Sequence, residues 1–321
     1  MTDKNIIFVV GATKTGASPL VQMLNAHPDI FVLYESSIGY FPLKKYTGRF
    51  ISAYPDVRSL FSYGAVPEDF FCSLQKFLAE KGHNFKVVGT SAPEFAMNAY
   101  PLDALRLYPL IFAVRDIRTW LAKDSVIEHY FTDNDIVHAA IDYTASFIKS
   151  FMLDKVLHVR MEDVIHRNDD VIETLAKFLN LDIRPHLNEW WKTTFPDSHP
   201  KSAQKWREGH TVSAHFGPRG VEDTEVTLAR HPFWNELLPI FDAYYGNPSA
   251  KIPKETILAD LEKLQALKRL SPIKLEEAYE RHKSVKLRPE GYLKKRITTG
   301  VVSEMRRIKS MIKVLASELF A

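Results

Sequence analysis

The sequence predicts an α/β fold with a central parallel sheet. Short runs rich in β-branched and aromatic residues recur up to about residue 184, with helical patterns between them. These runs are apolar almost throughout rather than alternating with polar residues, which indicates strands buried on both faces. Strands that alternate with helices imply right-handed crossovers and a doubly wound sheet, with a ligand site at the carboxyl ends of the strands.

Each predicted strand is a short run such as NIIFVV or LIFAV, in which apolar side chains dominate. The predicted strands are Asn5–Val10, Ile30–Leu33, Phe85–Gly89, Leu110–Val114 and Lys155–Val159. The helices predicted from the segments between and after them are Ser18–Ala26, Pro67–Lys81, Arg118–Tyr130, Ile136–Phe151 and Asp169–Leu179. The regular alternation of the two kinds of element is typical of a parallel sheet covered by helices.

The strand signal stops after about residue 184, and the chain from Lys251 onward is charged and helical. Gly246, Pro248 and Pro253 cluster at this change, and such residues interrupt regular structure. We therefore predict an α/β domain over residues 1–250 and a helical C-terminal extension over residues 251–321.

The end of the C-terminal extension carries an amphipathic helical pattern with basic residues in it. The apolar positions are Val301, Met305, Ile308, Ile312, Leu315 and Leu319, and the basic ones are Arg306, Arg307, Lys309 and Lys313. A basic amphipathic helix can lie on an anionic membrane surface. We favour packing against the chain's own domain or against a second copy in a homo-oligomer, because apolar stripes more often serve that purpose.

Charge and cysteine content exclude several classes of function. The formal net charge is +3, from 42 basic and 39 acidic residues, which is too balanced for a general nucleic-acid or membrane binder. Cys72 is the single cysteine, which excludes an internal disulfide and a metal site built from several cysteines. No run reaches the roughly 18 apolar residues of a membrane span, and the N-terminus does not resemble a signal peptide. We therefore expect a soluble, cytoplasmic protein.

The stretch GATKTGASPL follows the first predicted strand and has the composition of an anion-binding turn. In such a turn, backbone N–H groups and the positive end of the helix dipole face the same point, and Lys14 adds a full charge. Gly11 and Gly16 let the backbone approach an anion closely, and Thr15 and Ser18 supply hydroxyl donors. The alternative is an ordinary strand–helix turn with a solvent-exposed lysine.

The turn is not the common nucleoside triphosphate signature. That signature places a lysine directly after its second glycine, whereas Gly16 is followed by Ala17 and Ser18. A kinase of that type would transfer the γ-phosphate of ATP with Mg²⁺, and the missing lysine argues against it. The order of residues therefore indicates a different phosphate compound.

The turn resembles the 5′-phosphosulfate loop of the PAPS-dependent sulfotransferase family, in particular its carbohydrate and bacterial-type members; PAPS is 3′-phosphoadenosine 5′-phosphosulfate. In that family the loop runs Gly, two residues, Lys or Arg, Ser or Thr, Gly and two small hydroxyl residues, before a helix that ends near His-Pro. The matching positions here are Gly11, Lys14, Thr15, Gly16, Ala17, Ser18, Leu20, His27 and Pro28. The resemblance implies a P-loop-like three-layer fold and a role in cofactor binding for Lys14 and the four residues after it.

A second stretch, LIFAVRDIRTWLAKDS over residues 110–125, resembles the family's second cofactor segment. There an arginine after the strand holds the 3′-phosphate and a serine on the following helix assists. Arg115 matches the arginine, Lys123 occupies the place of the serine, and Ser125 lies two residues beyond it. The resemblance implies that these three residues contact the cofactor.

Two later stretches extend the resemblance to about residues 5–250. The first, residues 156–181, is similar to the family's last core strand and the helix after it, and we interpret Glu162 and Asp163 there as structural caps rather than catalysts. The second, KWREGH, resembles a segment that closes over the nucleotide, which implies cofactor contacts for Lys205, Trp206 and Arg207.

The resemblance implies in-line transfer of a sulfuryl group from PAPS to a hydroxyl or amine of an acceptor. The protein positions the reactants and neutralises charge on the leaving phosphate, a role that falls to Lys14. A base takes the acceptor's proton; in glycan- and tyrosine-sulfating members it is a glutamate near the second strand, where this chain has Glu35. The histidine base of cytosolic members has no counterpart in VVGTSAPEF, which favours a carbohydrate or similar hydroxyl acceptor. The acceptor that the resemblance implies is a glycan, a lipid or a secondary metabolite. No metal is implied.

Three departures from the family pattern support a second hypothesis. Ala17 replaces a hydroxyl residue, Lys123 replaces the serine, and Ser91 stands where carbohydrate-sulfating members commonly carry a lysine. A catalytically weakened nucleotide-binding or scaffolding protein of the same fold would tolerate these changes. The sequence leaves both hypotheses open.

Overall fold

The computed structural model describes residues 5–34, 54–60, 67–96, 102–121, 136–165, 169–187 and 232–270. The first elements are β1 (Asn5–Val10), α1 (Ala17–Asn25), β2 (Ile30–Leu33), α2 (Pro67–Glu80), β3 (Val87–Ser91) and α3 (Pro93–Ala96). They are followed by β4 (Leu110–Val114), α4 (Ile117–Leu121), α5 (Ile136–Ser150), β5 (Val156–Arg160), α6 (Met161–Ile165) and α7 (Asp169–Leu179). The remaining elements are α8 (Arg184–Leu187), α9 (Pro232–Tyr245) and α10 (Lys254–Leu270), with short 3₁₀ helices at Pro55–Leu60 and Leu102–Leu105.

The five strands form one sheet in the order β2-β3-β1-β4-β5, and every neighbouring pair is parallel. From β1 the chain moves to one side of the sheet to form β2 and β3, and it then crosses to the other side to form β4 and β5. The direction of winding therefore reverses between β1 and β4. Open parallel sheets bind ligands beyond the carboxyl ends of their strands at such a reversal.

Helices cover both faces of the sheet. On one face, α1 and α7 contribute Leu24 and Leu175 to an apolar core, which Ile183, directly before α8, also joins. On the other face, the core includes Phe147 of α5 and Phe241 of α9, together with residues of α2, α4 and α10. The helix after β1 and the helices after β4 thus lie on opposite faces, the arrangement in which open parallel sheets form a ligand crevice between the two strand ends. The predicted three-layer α/β fold with a central parallel sheet is confirmed.

Three of the predicted strands, β1, β2 and β4, have the predicted bounds, and β5 is displaced by one residue. β3 both begins and ends two residues later than the predicted Phe85–Gly89. Its end is later because Thr90 and Ser91 continue its pairing with β1 opposite Phe8 and Val9. Both hydroxyl residues are buried. A prediction that relies on runs of apolar residues therefore ends this strand too early. The helix predicted over residues 118–130 is present as α4, and its predicted C-terminal part lies outside the described residues.

Helix α10 packs against α5 through an apolar face that includes Ile257, Leu261 and Leu264, and these residues join the same core as the sheet. Lys268 Nζ on α10 lies 2.5 Å from Asp142 Oδ1 on α5. The predicted division of the chain near residue 250 stays a prediction, and the amphipathic pattern over residues 301–319 lies beyond the described ranges. None of the helices in the part of the chain described here is long and apolar enough to cross a membrane. The cytoplasmic location stays a prediction.

Candidate functional site

The loop between β1 and α1 lies at the carboxyl end of the central strand, beside the reversal in winding. Its backbone folds back on itself, because the N–H and the Oγ1 of Thr15 both donate to the Ala12 carbonyl, at 3.0 and 2.8 Å. Helix α1 begins at Ala17, and no side chain caps its N-terminus. The first N–H groups of a helix have no partner within it, so they face outward together with the positive end of the helix dipole. This arrangement is suited to an anion.

The two glycines of the loop are required by close packing and by backbone conformation. Gly16 precedes α1 with φ 107°, and a Cβ at this position would lie 2.9 Å from Met161 Cγ. A Cβ at Gly11 would lie 2.8 Å from Thr15 Oγ1 and 2.9 Å from Ala17 Cβ. Any larger residue at either position would therefore open the loop.

Lys14 adds a cation to this loop. Its backbone has φ 71°, a left-handed conformation that is unfavourable for residues other than glycine. Its side chain is exposed, and it forms no ion pair with any residue in the described ranges. Strained backbone of this kind is typical of ligand-binding loops, where it costs on the order of 1 kcal/mol or more. The lysine is therefore available to a ligand at the surface of the crevice.

The two hydroxyl residues of the loop have different surroundings. Thr15 is fully buried, and its hydroxyl proton is donated to the loop's own Ala12 carbonyl. Ser18 is partly exposed, and its hydroxyl forms a hydrogen bond with the hydroxyl of Tyr34, directly after β2. This contact joins the loop after β1 to the end of β2. The next residue in the chain, Glu35, lies outside the described residues, and its role as base stays a prediction.

A tryptophan from α4 supports the same loop. The indole Nε1 of Trp120 donates to the Thr13 carbonyl at 2.8 Å. Trp120 is fully buried, and its ring packs against Tyr143 with the ring centroids 5.0 Å apart. The loop after β1 is therefore fixed by the helix that follows β4.

Arg115 directly follows β4, which is the strand adjacent to β1, and only 3% of this residue is exposed. Its backbone is held at both ends by Tyr143, whose Oη accepts from the Arg115 N–H and donates to the Arg115 carbonyl, each at 2.9 Å. Its Nε donates to Thr119 Oγ1 at 2.9 Å. Burial lowers the pKa of Arg115, and the negative charge of Glu162 opposes that effect. Arg115 is therefore a buried cation at the carboxyl end of β4 rather than a residue of the protein surface.

Asp116 and Glu162 hold the turn that carries Arg115. The Oδ1 of Asp116 accepts the N–H of Arg118 at 2.7 Å, so that Asp116 caps the N-terminus of α4. Glu162 Oε1 accepts the N–H of Asp116 at 3.2 Å, and Tyr245 donates to Glu162 Oε2 at 2.8 Å. Glu162 therefore has a structural role, and the segment that it stabilises is the turn before α4 rather than its own helix α6.

Helix α9 contacts this turn a second time. Arg118 forms a two-pronged ion pair with Asp242, with nitrogen–oxygen distances of 2.9 and 2.6 Å. Arg160 pairs with Asp163 at 2.6 Å and lies over the ring of Tyr245 on the same helix, 5.7 Å from its centroid. Asp163 therefore fixes an arginine at the end of β5 through an ion pair, whereas the sequence predicted a helix cap at this residue.

The structure places part of the predicted site at the carboxyl ends of two neighbouring strands. The loop with Lys14, Thr15, Gly16, Ala17 and Ser18 follows β1, and Arg115 follows β4, its hydrogen-bonded neighbour. Six predicted site residues lie outside the described ranges, and their roles stay predictions: Glu35, Lys123, Ser125, Lys205, Trp206 and Arg207. Ser91 is buried at the end of β3, opposite Val9.

Four residues that shape the site were not found from the sequence: Thr119, Trp120, Tyr143 and Tyr245. Trp120 and Thr13 are separated by 107 positions, and Tyr245 and Glu162 by 83. Each of these contacts depends on the order of strands and on how helices dock, which local patterns do not reveal. Among the residues that the structure describes, no three His, Cys, Asp or Glu side chains are grouped as a metal site requires.

No family model matches the chain, and no curated protein matches its sequence. Similar solved structures include a sulfotransferase domain from the Synechococcus PCC 7002 olefin synthase, with 16% identity and a TM-score of 0.43 over 85% of this chain and 98% of that one. A sulfotransferase domain from the curacin biosynthetic pathway has 13% identity and a TM-score of 0.45 over 71% and 98% of the two chains. Mouse sulfotransferase SULT7A1, complexed with PAP, has 12% identity and a TM-score of 0.39 over 74% and 90%. At these TM-scores, neither function nor site residues are assigned from the likeness.

Proposed function

We propose that the chain is a sulfotransferase that moves the sulfuryl group of PAPS to a hydroxyl or amine of an acceptor. The observation that carries this proposal is the loop after β1, where an exposed Lys14 precedes Gly16 and the N-terminus of α1 has no side-chain cap. The lysine and the N–H groups of the first helical turn are thus left for a ligand. A lysine before the second glycine is the order found in the sulfotransferase loop that this sequence resembles.

The residues present fit a 5′-phosphosulfate group. Free N–H groups at a helix N-terminus bind phosphate and sulfate oxygens, and the loop presents them at the reversal between β1 and β4. The absence of a side chain at Gly11 and Gly16 keeps the loop closely curled. Arg115, after the adjacent strand, supplies a second cation for the 3′-phosphate that distinguishes PAPS from simpler adenylates. Because only 3% of Arg115 is exposed, the groups that cover its guanidinium must move aside when the nucleotide binds.

The proposed reaction is a single in-line transfer. The acceptor oxygen or nitrogen forms a bond to sulfur while the bond between sulfur and the 5′-phosphate oxygen breaks, and the electron pair of that bond stays on the phosphate. The products are the sulfated acceptor and 3′,5′-adenosine bisphosphate (PAP). Lys14 and the N–H groups of the loop stabilise the negative charge that develops on the leaving oxygen.

The acceptor's proton is assigned to Glu35. Its chain neighbour Tyr34 contacts Ser18 of the loop, so the end of β2 is tied to the proposed phosphosulfate site. A carboxylate that takes a proton as the sulfuryl group moves must lie within hydrogen-bond reach of the acceptor. A glycan, lipid or secondary metabolite with an accessible hydroxyl is the class of acceptor that this assignment favours.

Two measurements on the full chain test the proposal. Calorimetric titration with PAP, with AMP as comparison, should give binding that is tighter for the 3′-phosphorylated nucleotide. Incubation with ³⁵S-labelled PAPS and a panel of glycan, lipid and small hydroxyl or amine acceptors should then release PAP and label a product. Binding of PAP without turnover on any acceptor would favour the catalytically weakened nucleotide-binding protein. Absence of PAP binding would refute both.

A further inference from the structure

The Arg115 support network consists of Arg115, Thr119, Glu162 and Tyr245, which come from four separate elements or turns. It begins with the Nε of Arg115, which donates to Thr119 Oγ1 one turn later in α4, at 2.9 Å. Thr119 Oγ1 lies 3.0 Å from the Asp116 carbonyl and 3.3 Å from Glu162 Oε1, and its single proton can be donated to either. The orientation of the guanidinium therefore depends on the hydroxyl that holds it and on the groups around that hydroxyl.

Glu162 connects this hydroxyl with the backbone of the turn. One carboxylate oxygen accepts from the N–H of Asp116 and lies next to Thr119 Oγ1. The other oxygen accepts from Tyr245 at 2.8 Å. A carboxylate that uses both oxygens in this way is fixed in position and orientation. It also places a negative charge close enough to Arg115 to favour the charged guanidinium against the effect of burial on its pKa.

Tyr245 supplies the hydrogen bond that completes the arrangement. Burial raises the pKa of Tyr245, and the negative charge of Glu162 raises it further, so the phenol keeps its proton and remains a donor. Three residues earlier on α9, Asp242 forms the two-pronged ion pair with Arg118. Residues three apart lie on the same side of a helix, so a single face of α9 docks against the turn before α4 and its first residues.

We propose that Glu162 and Tyr245 are positioning residues that hold Arg115 in the orientation needed for the 3′-phosphate of the bound nucleotide. This inference rests on the proposed function. Neither residue touches the reacting atoms, and both act through Arg115 and its turn. Helix α9, more than 115 positions beyond Arg115 in the chain, thereby belongs to the nucleotide site.

A pair of adjacent tyrosines on α9 gives a matched test. Tyr245→Phe removes the hydroxyl that bonds Glu162, and Tyr244→Phe removes a hydroxyl that bonds Asp260 of α10 at 3.1 Å. Each change removes one tyrosine–carboxylate hydrogen bond from the same helix. The readout is the ratio of the AMP dissociation constant to the PAP dissociation constant, measured by calorimetry, because this ratio isolates the 3′-phosphate and is not moved by a general loss of stability.

Tyr245→Phe should lower this ratio by about fivefold to tenfold, the range expected for one lost hydrogen bond, whereas Tyr244→Phe should leave it at the wild-type value. Glu162→Gln keeps an acceptor oxygen for the Asp116 N–H but removes the charge, so it should lower the ratio as well, and Glu162→Ala should lower it more. Glu162→Gln also serves as the test if Tyr245→Phe does not fold. In turnover, these variants should raise the KM for PAPS and leave kcat within about twofold.

The outcomes separate this inference from the proposed function. If the wild-type chain binds PAP more tightly than AMP, and Tyr245→Phe and Glu162→Gln keep the wild-type ratio, the positioning role is refuted and the sulfotransferase proposal stands. If Tyr244→Phe lowers the ratio as much as Tyr245→Phe does, the effect belongs to α9 in general and the specific role is again refuted. If the wild-type chain binds neither nucleotide, the proposed function fails first, and the inference fails with it.

Discussion

The indole of Trp120 donates a 2.8 Å hydrogen bond to the backbone carbonyl of Thr13. This bond joins the loop after β1 to the helix after β4, and these are the two segments expected to hold the two phosphate groups of one nucleotide. Because the Thr13 carbonyl is used by the indole and the Ala12 carbonyl by Thr15, two acceptors of the loop are kept away from an incoming anion. The loop after β1 and the helix after β4, which form the two halves of the proposed site, are therefore joined by a hydrogen bond even without a ligand.

Replacing Trp120 with Phe tests this connection. Trp120→Phe leaves the Thr13 carbonyl without its partner, so we expect PAP to bind about tenfold more weakly and the free energy of unfolding to fall by about 1–3 kcal/mol. Calorimetry and urea unfolding measure the two quantities. Trp234→Phe is the matched control, because Trp234 is also buried but packs against Phe233 in α9; it should lower stability and preserve the PAP affinity. Equal PAP affinity in Trp120→Phe and wild type would contradict the connection.

Lys14 should matter more for turnover than for binding. Its proposed role is to stabilise the charge that develops on the leaving phosphate, so Lys14→Ala should lower kcat by about a hundredfold or more and weaken PAP binding only a few-fold. Lys177→Ala, which removes an exposed lysine paired with Glu173 on α7, should change neither quantity. Losses of equal size in binding and in kcat would remove the leaving-group role from Lys14.

Arg115 should distinguish nucleotides with and without a 3′-phosphate. Arg115→Ala is expected to weaken PAP binding by about a hundredfold, as for a lost charged hydrogen-bond pair, and to change AMP binding little. Arg115→Lys keeps the charge without the planar fork and should fall between the two. Arg106→Ala, at an exposed position before β4, is the control. An equal loss of AMP affinity would count against the assignment to the 3′-phosphate.

Gly16 and Gly82 share a left-handed backbone conformation but differ in the atoms that surround them. Both have positive φ, 107° and 89°, but a Cβ at Gly16 would lie 2.9 Å from Met161, whereas nothing lies within 4 Å of one at Gly82. Gly82→Ala should therefore cost only the backbone term, about 1 kcal/mol in unfolding free energy. Gly16→Ala should cost at least about 2 kcal/mol and should also abolish PAP binding. Similar losses in both variants would show that the contact with Met161 is easily relieved.

The stability of the chain should depend on pH through His158. Burial lowers the pKa of His158 from 6.5 to about 4, and the backbone carbonyl of Pro248 opposes that effect. The folded state thus favours the neutral imidazole, which lies 2.6 Å from Ser150 Oγ and 2.9 Å from the Pro248 carbonyl. This contribution is fully present above pH 6.5, and it is lost as the pH falls from there to about 4, by up to about 3 kcal/mol.

Urea unfolding of the wild type and of His158→Gln between pH 7.5 and pH 4.5 measures this dependence. The wild type should lose more stability over the range than the variant, because glutamine does not titrate. Other histidines add to both curves, so the difference between the two proteins is the quantity of interest. Parallel curves would show that His158 is not the group responsible.

The alternation of apolar runs and helical patterns was enough to predict the layers and most strand bounds. β1 and β4 were located correctly because their side chains are apolar on both faces, whereas β3 was misplaced because it ends in the buried hydroxyl residues Thr90 and Ser91. The glycines and the lysine of the loop were predicted as a unit because they lie within six positions. The order of strands was not specified, since nothing local to a strand states which neighbour it pairs with.

The contacts that support the site were beyond the reach of local patterns. Trp120 reads as an ordinary apolar position of a helix, and only the docking of α4 beside the loop gives it a partner in Thr13. Tyr245 lies in a helix for which the sequence offered no function, and its bond to Glu162 exists because α9 contacts the segments that follow β4 and β5. Such residues become visible only when the fold has placed distant segments together.

The most direct test of the central claim is a crystal structure of the full chain with PAP. The account predicts the 5′-phosphate within hydrogen-bond distance of Lys14 Nζ and of the backbone N–H groups of Gly16, Ala17 and Ser18, with the 3′-phosphate directed toward Arg115. A structure in which PAP occupies a different part of the molecule and this loop holds no phosphate would contradict it.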